Sequence, residues 1–446
     1  MQEEKKSIME KPVSRRDFTR IAMTFGITST LMAWSGFAKA GVSPSAETLA
    51  QKAASIQKDR YKSAPKFKLR YGAADHSVET SWVAKIGTVE FVNEVEERTN
   101  GAIRVEHLGS GTMCGEMTCA EKCTQGIIDF YLASNNNASV TCQYLLTLDW
   151  GALWQNRAQL YNFAFDYRRE QLFQEPMRRL YNIEMLHGDY GLRSLFMSKR
   201  KYSKVPDVAT VEQLTKLRAK VRTTGTRFGL KSLQLMKINP VAISFDEVVD
   251  AVRQGAIDGA DAWEIPFSVN RFTEHTAQQL YLKYCAGCWI TGMNRKKLLT
   301  LPSNLQNEIM EAAYLTQVNI LGKEEASIAT KAGSGDTTPT IVGSEHWKWG
   351  IRNVVWTDAE YDKLEKLISP KFNPKVWTED MKRMNQLMGK GDNFQEMYKI
   401  AREVPRHAYA IDIMPKRWWK KNPSWYVKGP WKRGTGDWVK SDKKKV

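Results

Sequence analysis

The chain has 446 residues, 42% of them hydrophobic and 11% aromatic, which excludes a wholly disordered protein and leaves room for two domains. Its formal charge of +17 is concentrated at the ends: residues 1–40 carry seven basic and four acidic side chains, and residues 401–446 carry thirteen and four. Only +5 therefore belongs to the 360 residues between, which argues against a nucleic-acid-binding body.

The first element is an export signal. Ser14-Arg15-Arg16-Asp17-Phe18-Thr19-Arg20 is a twin-arginine pattern, followed by a moderately apolar stretch from Ile21 to Phe37 and the small-residue site Ala38-Lys39-Ala40. Thr24, Gly26, Thr28, Ser29 and Thr30 dilute that stretch below the ~20 apolar residues of a membrane span, so the expectation is cleavage after Ala40 and a periplasmic mature protein. Residues 41–66 read as a leader without sustained periodicity.

Phe67–Tyr71 alternates apolar and basic residues as a half-buried strand, and a helix is expected from about Trp82 to Glu97, stopped by Asn100-Gly101. Ile103–Leu108 reads as a strand, Gly115–Gln125 as a helix and Ile127–Ala133 as a strand. After the aromatic stretch from Leu145 to Tyr167, His187–Ser198 reads as one strand, Val211–Leu217 as a helix and Ala219–Arg222 as a strand. Phe228–Met236 reads as a helix, Pro240–Ile243 as extended, Phe245–Gln254 as an amphipathic helix closed by Gly255, and Asn304 to about Lys331 as a long connecting helix. Alternating strands and helices predict an α/β fold of two units, with parallel sheets and a cleft beyond the strand ends.

Leu217-Arg218-Ala219-Lys220-Val221-Arg222, Asn239-Pro240-Val241-Ala242-Ile243-Ser244-Phe245-Asp246-Glu247-Val248 and Gln254-Gly255-Ala256-Ile257-Asp258-Gly259 together form a long ordered pattern. It resembles the solute-binding subunits of tripartite ATP-independent periplasmic (TRAP) transporters, the DctP family, over about residues 67–325. The resemblance implies a two-domain periplasmic binding-protein fold with a hinged cleft and a long connecting helix. The expected division is 67–190 plus about 289–325 for the first domain and 191–288 for the second, with parts of 326–400 packed on both. It also implies capture of a small organic acid for delivery to TRAP membrane subunits, with no cofactor, metal or catalytic residue.

On the same resemblance, Arg222 holds the substrate carboxylate and Arg193 lies close by. A planar guanidinium offers a fork of donors that Lys lacks. Phe245 is placed to pack on the solute. Ala262 stands where the family often has a polar or aromatic side chain, which Trp263 and Glu264 could replace by a small shift. Asp75, His76, Asn135, Asn136 and Asn137 fall on loops expected at the cleft.

Six cysteines, Cys114, Cys119, Cys123, Cys142, Cys285 and Cys288, are open to three readings: structural disulfides or buried thiols, a mixture with free thiols, or a redox or metal role for Cys285-Ala286-Gly287-Cys288. Cys119 and Cys123, one helical turn apart, are expected to pair outward rather than with each other. Residues 401–446 read as a basic, Trp-rich extension that wraps over the body, touches an anionic membrane surface or docks on the transporter. The rival functions are a periplasmic sensor with the same fold and an exported enzyme. Against the enzyme stands the lack of G-x-S-x-G, H-E-x-x-H and C-x-x-C-H.

Overall fold

The computed structural model describes residues 63–73, 87–243, 247–264, 266, 271–329, 333 and 340–419. The expected signal and the leader up to residue 62 lie outside them. The first half contains β1 (Phe67–Ala73), α1 (Val89–Arg98), β2 (Ile103–Leu108), α2 (Cys119–Thr124), β3 (Phe130–Ser134), α3 (Arg157–Phe165), α4 (Glu175–Tyr181) and β4 (Ile183–Leu192). Then come β5 (Ser194–Ser198), α5 (Val211–Leu217), β6 (Lys220–Thr223), α6 (Arg227–Leu235), β7 (Asn239–Ala242), α7 (Val248–Gln254), β8 (Gly259–Ala262) and β9 (Thr276–Leu280). The chain closes with β10 (Ala286–Asn294), α8 (Ser303–Ser327), β11 (Arg352–Val354), α9 (Asp358–Ile368), α10 (Pro374–Met388) and α11 (Asn393–Arg402).

Local chemistry explains the elements that the pattern predicted. In β1, Leu69 and Tyr71 are buried while Lys68 and Arg70 face water. α1 buries Phe91 and Val95 and ends where Asn100 and Gly101 take positive φ. Thr210 and Gln213 form a reciprocal capping box at α5, and α7 stops at the left-handed Gly255.

Among the described residues the strands form two sheets, in the orders β2-β1-β3-β10-β4 and β11-β9-β5-β8-β6-β7. Neither is wholly parallel, contrary to the sequence expectation. β1 runs parallel to β2 and β3, but β10 is antiparallel to β3 and β4, and β5 is antiparallel to β8 and β9. The reason is connectivity: the chain leaves the first sheet along β4 and returns to it along β10, so the two strands lie side by side in opposite directions. The single strand expected over His187–Ser198 is likewise two. It breaks at Arg193, whose backbone N–H donates to Cys285 O at 2.9 Å, and β5 belongs to the second sheet. Both strands are buried along their whole length, so the apolar pattern continues through the break.

Residues beyond the long helix α8 tie the two sheets together. Trp150, before α3, packs at 4.3 Å between ring centroids on Phe228 of α6 and edge-on at 5.6 Å against Trp377 of α10. Trp150 Nε1 donates to Asn393 Oδ1 at 2.9 Å, and Asn393 Nδ2 donates to the Tyr144 hydroxyl at 2.9 Å. Asn156 Nδ2 donates to Pro405 O and Gln159 Nε2 to Val404 O, each at 2.9 Å. The start of the basic extension is also core: Trp418 and Trp419 are buried against Phe165 and Tyr314. Trp425, Trp431 and Trp438 lie outside the described residues. Cys119 is bonded to Cys114, and Cys123, Cys142, Cys285 and Cys288 are buried free thiols.

Candidate functional site

Arg193 sits where the chain crosses from β4 to β5. Its guanidinium is buried, and Nε donates to Asp261 Oδ2 of β8 at 3.0 Å. The same oxygen accepts the Tyr284 hydroxyl at 2.5 Å. Burial is the largest single influence on Arg193 and opposes its charge, but Asp261, Tyr284, Cys285 and Asp149 together hold the guanidinium above its ordinary value. Nη1 of Arg193 nevertheless has no hydrogen-bond partner.

Trp263, just past β8, lies beside this pair, with Arg193 at 5.6 Å from its ring centroid. Two glycines make its seat. Gly191 of β4 and Gly287 of β10 are cross-strand partners. A Cβ on Gly191 would fall 2.4 Å from Trp263 Cδ1, and one on Gly287 would fall 2.4 Å from Cε3. The missing side chains let the indole lie flat on the strand pair and meet Trp289 edge-on at 4.9 Å. Trp263 Nε1 is buried without a partner, a second unused donor beside Arg193.

Arg222, on β6, is also buried, and its Nε donates to Ile243 O at 2.8 Å. Burial is the largest influence on it and pushes the guanidinium down to about 10; Asp261 acts against that shift and Arg193 adds to it. On the first-sheet side, the one-turn helix Asn135–Ala138 follows β3. There Asn135 and Asn136 donate to the two carboxylate oxygens of Asp149 at 2.8 and 2.6 Å. Burial lifts the Asp149 carboxyl to about 7, with Asn135, Arg193 and Asn136 pulling the other way. Glu116 accepts from Ser134 N at 2.7 Å and from Trp289 Nε1 at 3.2 Å. A pocket of about 510 Å³ opens between Asn136 and Asn137 on one side and Thr224–Phe228 on the other, with Asp380, Arg383 and Met384 of α10 forming a third wall.

The structure thus brings Arg193, Arg222 and Trp263 into one buried cluster and ties Asn136 to it through Asp149. Glu264 follows Trp263 in the chain and accepts from Gln279 Nε2 of β9 at 3.3 Å. Asp75, His76 and Phe245 are outside the described residues. Sequence reading missed Asp149, Asp261, Glu116 and Tyr284, and none of them stands in a short motif that signals its partner. The Cys285 and Cys288 thiols are held well above their usual range by burial, so they fill the core as neutral groups rather than act as redox thiolates.

The family model of bacterial extracellular solute-binding proteins, family 7 (DctP), matches residues 75–331. The chain belongs to this family. DctP relatives of known structure share its fold. One is the TRAP periplasmic solute-binding protein of Sulfitobacter sp. NAS-14.1 with bound β-D-galacturonate, 17% identical, covering 74% of this chain and 99% of its own, with a TM-score of 0.57. The counterpart from Desulfovibrio salexigens, with bound orotic acid, is 15% identical at a TM-score of 0.60, covering 75% and 99%. That from Sulfurospirillum deleyianum, with bound succinate, is 14% identical at 0.56, covering 77% and 100%. A Salmonella typhimurium protein, YiiZ, of uncharacterized activity, is 25% identical over 234 residues, which are 50% of this chain and 66% of that protein.

Proposed function

We propose that this DctP protein captures a small organic acid between its two sheets and delivers it to the membrane subunits of a TRAP transporter, by binding and without catalysis. The observation that carries the reading is the pair of buried, unused donors at the crossing point, Arg193 Nη1 and Trp263 Nε1, beside the buried Arg222. Buried donors left without acceptors cost free energy unless a ligand supplies them, and a carboxylate does so for a guanidinium with two parallel bonds. The acids bound by the three structural relatives support the same class of solute.

Residues 67–190 with about 289–325 then form one body and 191–288 the other, and they close on the acid by bending at the two crossings around Arg193 and residues 281–285. Asp75, His76, Phe245, Asn136 and Glu264 complete the lining. Residues 1–40 direct export by the twin-arginine route to the periplasm; replacing Arg15 and Arg16 with Lys leaves the precursor in the cytoplasm. The decisive experiment is a thermal-shift screen of organic acids. An acid at ~100 times its dissociation constant adds about 2.7 kcal/mol of stability. A screen in which carboxylates leave the melting temperature unmoved while neutral solutes raise it removes the reading.

A further inference from the structure

We infer that Asp189 of β4 and Glu324 of α8 share one proton, and that this proton fastens the long helix to the outer strand of the first sheet as a pH-operated lock. Among the described residues β4 is the last strand of its sheet, and it ends at Leu192, directly before the crossing at Arg193. α8 is already tied to it: Gln317 Oε1 accepts from Gly188 N at 2.8 Å and Gln317 Nε2 donates to Gly188 O at 2.7 Å. Glu324 follows Gln317 by seven residues, about two helical turns, so it turns the same face to the strand.

Asp189 is 4% exposed and Glu324 is fully buried. The Tyr161 hydroxyl of α3 donates to Glu324 Oε2, but both oxygens of Asp189 and Oε1 of Glu324 have no donor among the described residues. The two carboxyl groups lie within hydrogen-bonding reach of one another. As two anions closed off from water they repel; with one proton between them, each supplies the partner that the other lacks. The surroundings leave that proton in place. Arg157, four residues before Tyr161 on α3, acts on both carboxyls, but it holds Glu325 at 2.7 and 3.2 Å and donates to the Tyr281 hydroxyl at 2.9 Å. It thus answers three carboxyls, Asp189, Glu324 and Glu325. Tyr161, Tyr190 of β4 and Cys288 of β10 add no positive charge, since burial keeps each of them protonated and neutral. His187 of β4 is neutral as well, pushed down to about 3 by burial and then by Arg169. Burial, and for Glu324 then the Asp189 charge, lifts both carboxyls of the pair above their ordinary 3.8 and 4.5. The folded chain therefore holds a proton that the unfolded chain has lost. The lock is closed at acid pH and opens as the pH rises through the folded value, loosening the strand that leads to Arg193.

The test is urea unfolding of the full chain from about pH 5 to 7, wild type against Asp189→Asn/Glu324→Gln, whose amides keep the shape and the hydrogen bond without a titrating proton. The unfolding constant of the wild type is expected to rise relative to that of the double variant by about ten-fold per pH unit. Asp149 titrates in both chains and cancels. A ratio that stays flat overturns the lock. Infrared spectroscopy reads the proton itself. The Asp149→Asn chain lacks the other lifted carboxyl among the described residues, so at about pH 6 its protonated-carboxyl band is expected to come from the pair. Adding either Asp189→Asn or Glu324→Gln removes the band. Its absence from the Asp149→Asn chain, or its survival in either added variant, which assigns the proton to one carboxyl alone, overturns the sharing. This second measurement decides the outcome if the double variant fails to fold.

Discussion

Replacing Arg222 with Met is expected to abolish solute capture while leaving the fold as stable as before. The guanidinium is 3% exposed, and burial has pushed it from its ordinary 12.5 to about 10. At 1.36 kcal/mol per unit, the folded chain bears about 3 kcal/mol to keep this charge at neutral pH, where it is charged in the unfolded chain too. Met keeps most of the apolar stem and removes the charge. The losses include the bond to Ile243 O, about 1 kcal/mol. Urea unfolding of the ligand-free variant should therefore give a stability equal to wild type or higher by about 2 kcal/mol. Affinity behaves oppositely. A carboxylate drawn into a closed cleft and left without its guanidinium costs about 3–5 kcal/mol, a loss of about 10²- to 10³-fold or more by calorimetry. A variant that loses several kcal/mol of stability but binds the acid normally would make Arg222 a structural residue and refute the argument.

Arg193→Met should behave in the contrary way: it strands the fully buried Asp261 with only the Tyr284 hydroxyl, so unfolding free energy falls by about 3–5 kcal/mol, and a change below about 1 kcal/mol contradicts the pairing. Gly191→Ala pushes a Cβ into the Trp263 indole and costs about 1–3 kcal/mol; the cost shrinks in a Trp263→Ala background, and equal costs in both backgrounds exclude the clash. Asp149 titrates near 7 folded against 3.8 as its ordinary value, so between those pH values the folded chain holds a proton that the unfolded chain lacks. Its contribution to stability is full below about pH 4 and lost as pH rises to about 7, by about 4 kcal/mol at most. The stability of Asp149→Asn relative to wild type should therefore climb across that window and level off above it. His187, pushed down to about 3 by burial and then by Arg169, acts in the opposite direction but equally in both proteins, so it cancels in the comparison. A flat difference across the window contradicts the Asp149 assignment.

What the sequence disclosed follows from how local each signal is. Ile103–Leu108 and Val211–Leu217 have the same bounds in the structure as in the sequence reading, since alternation and the Thr210–Gln213 box are complete within a few residues. α3 buries eight of its nine residues, so no polar face marks its period. β9 reads Thr-Ala-Gln-Gln-Leu, yet all five residues are buried. Gln278 satisfies its amide on Val205 O, Pro206 O and Val208 N, partners about 70 positions away. In the site, Arg193 and Arg222 were legible through the resemblance. Their settings were not, since Asp261 is 68 residues from Arg193 and Asp380 is 153 from Arg227. A salt bridge over such a span leaves no mark on either local segment.

The bonds from Trp150, Asn156 and Gln159 to residues 393–405 also set the order in which the molecule can be built. On a growing chain, α3 and the tryptophans beside it emerge more than two hundred residues before the groups that satisfy them. Closing a loop of that length costs about 5 kcal/mol of chain entropy, which only the finished C-terminal segment repays. Until then the nascent N-terminal half presents Trp150 and Tyr144 with their final neighbours still unsynthesised, a species prone to association. The point at residue 331 where the family pattern stops is consequently not a place where the protein can be cut. A chain ended there lacks part of its own core and should be recovered as an aggregate rather than as a smaller receptor.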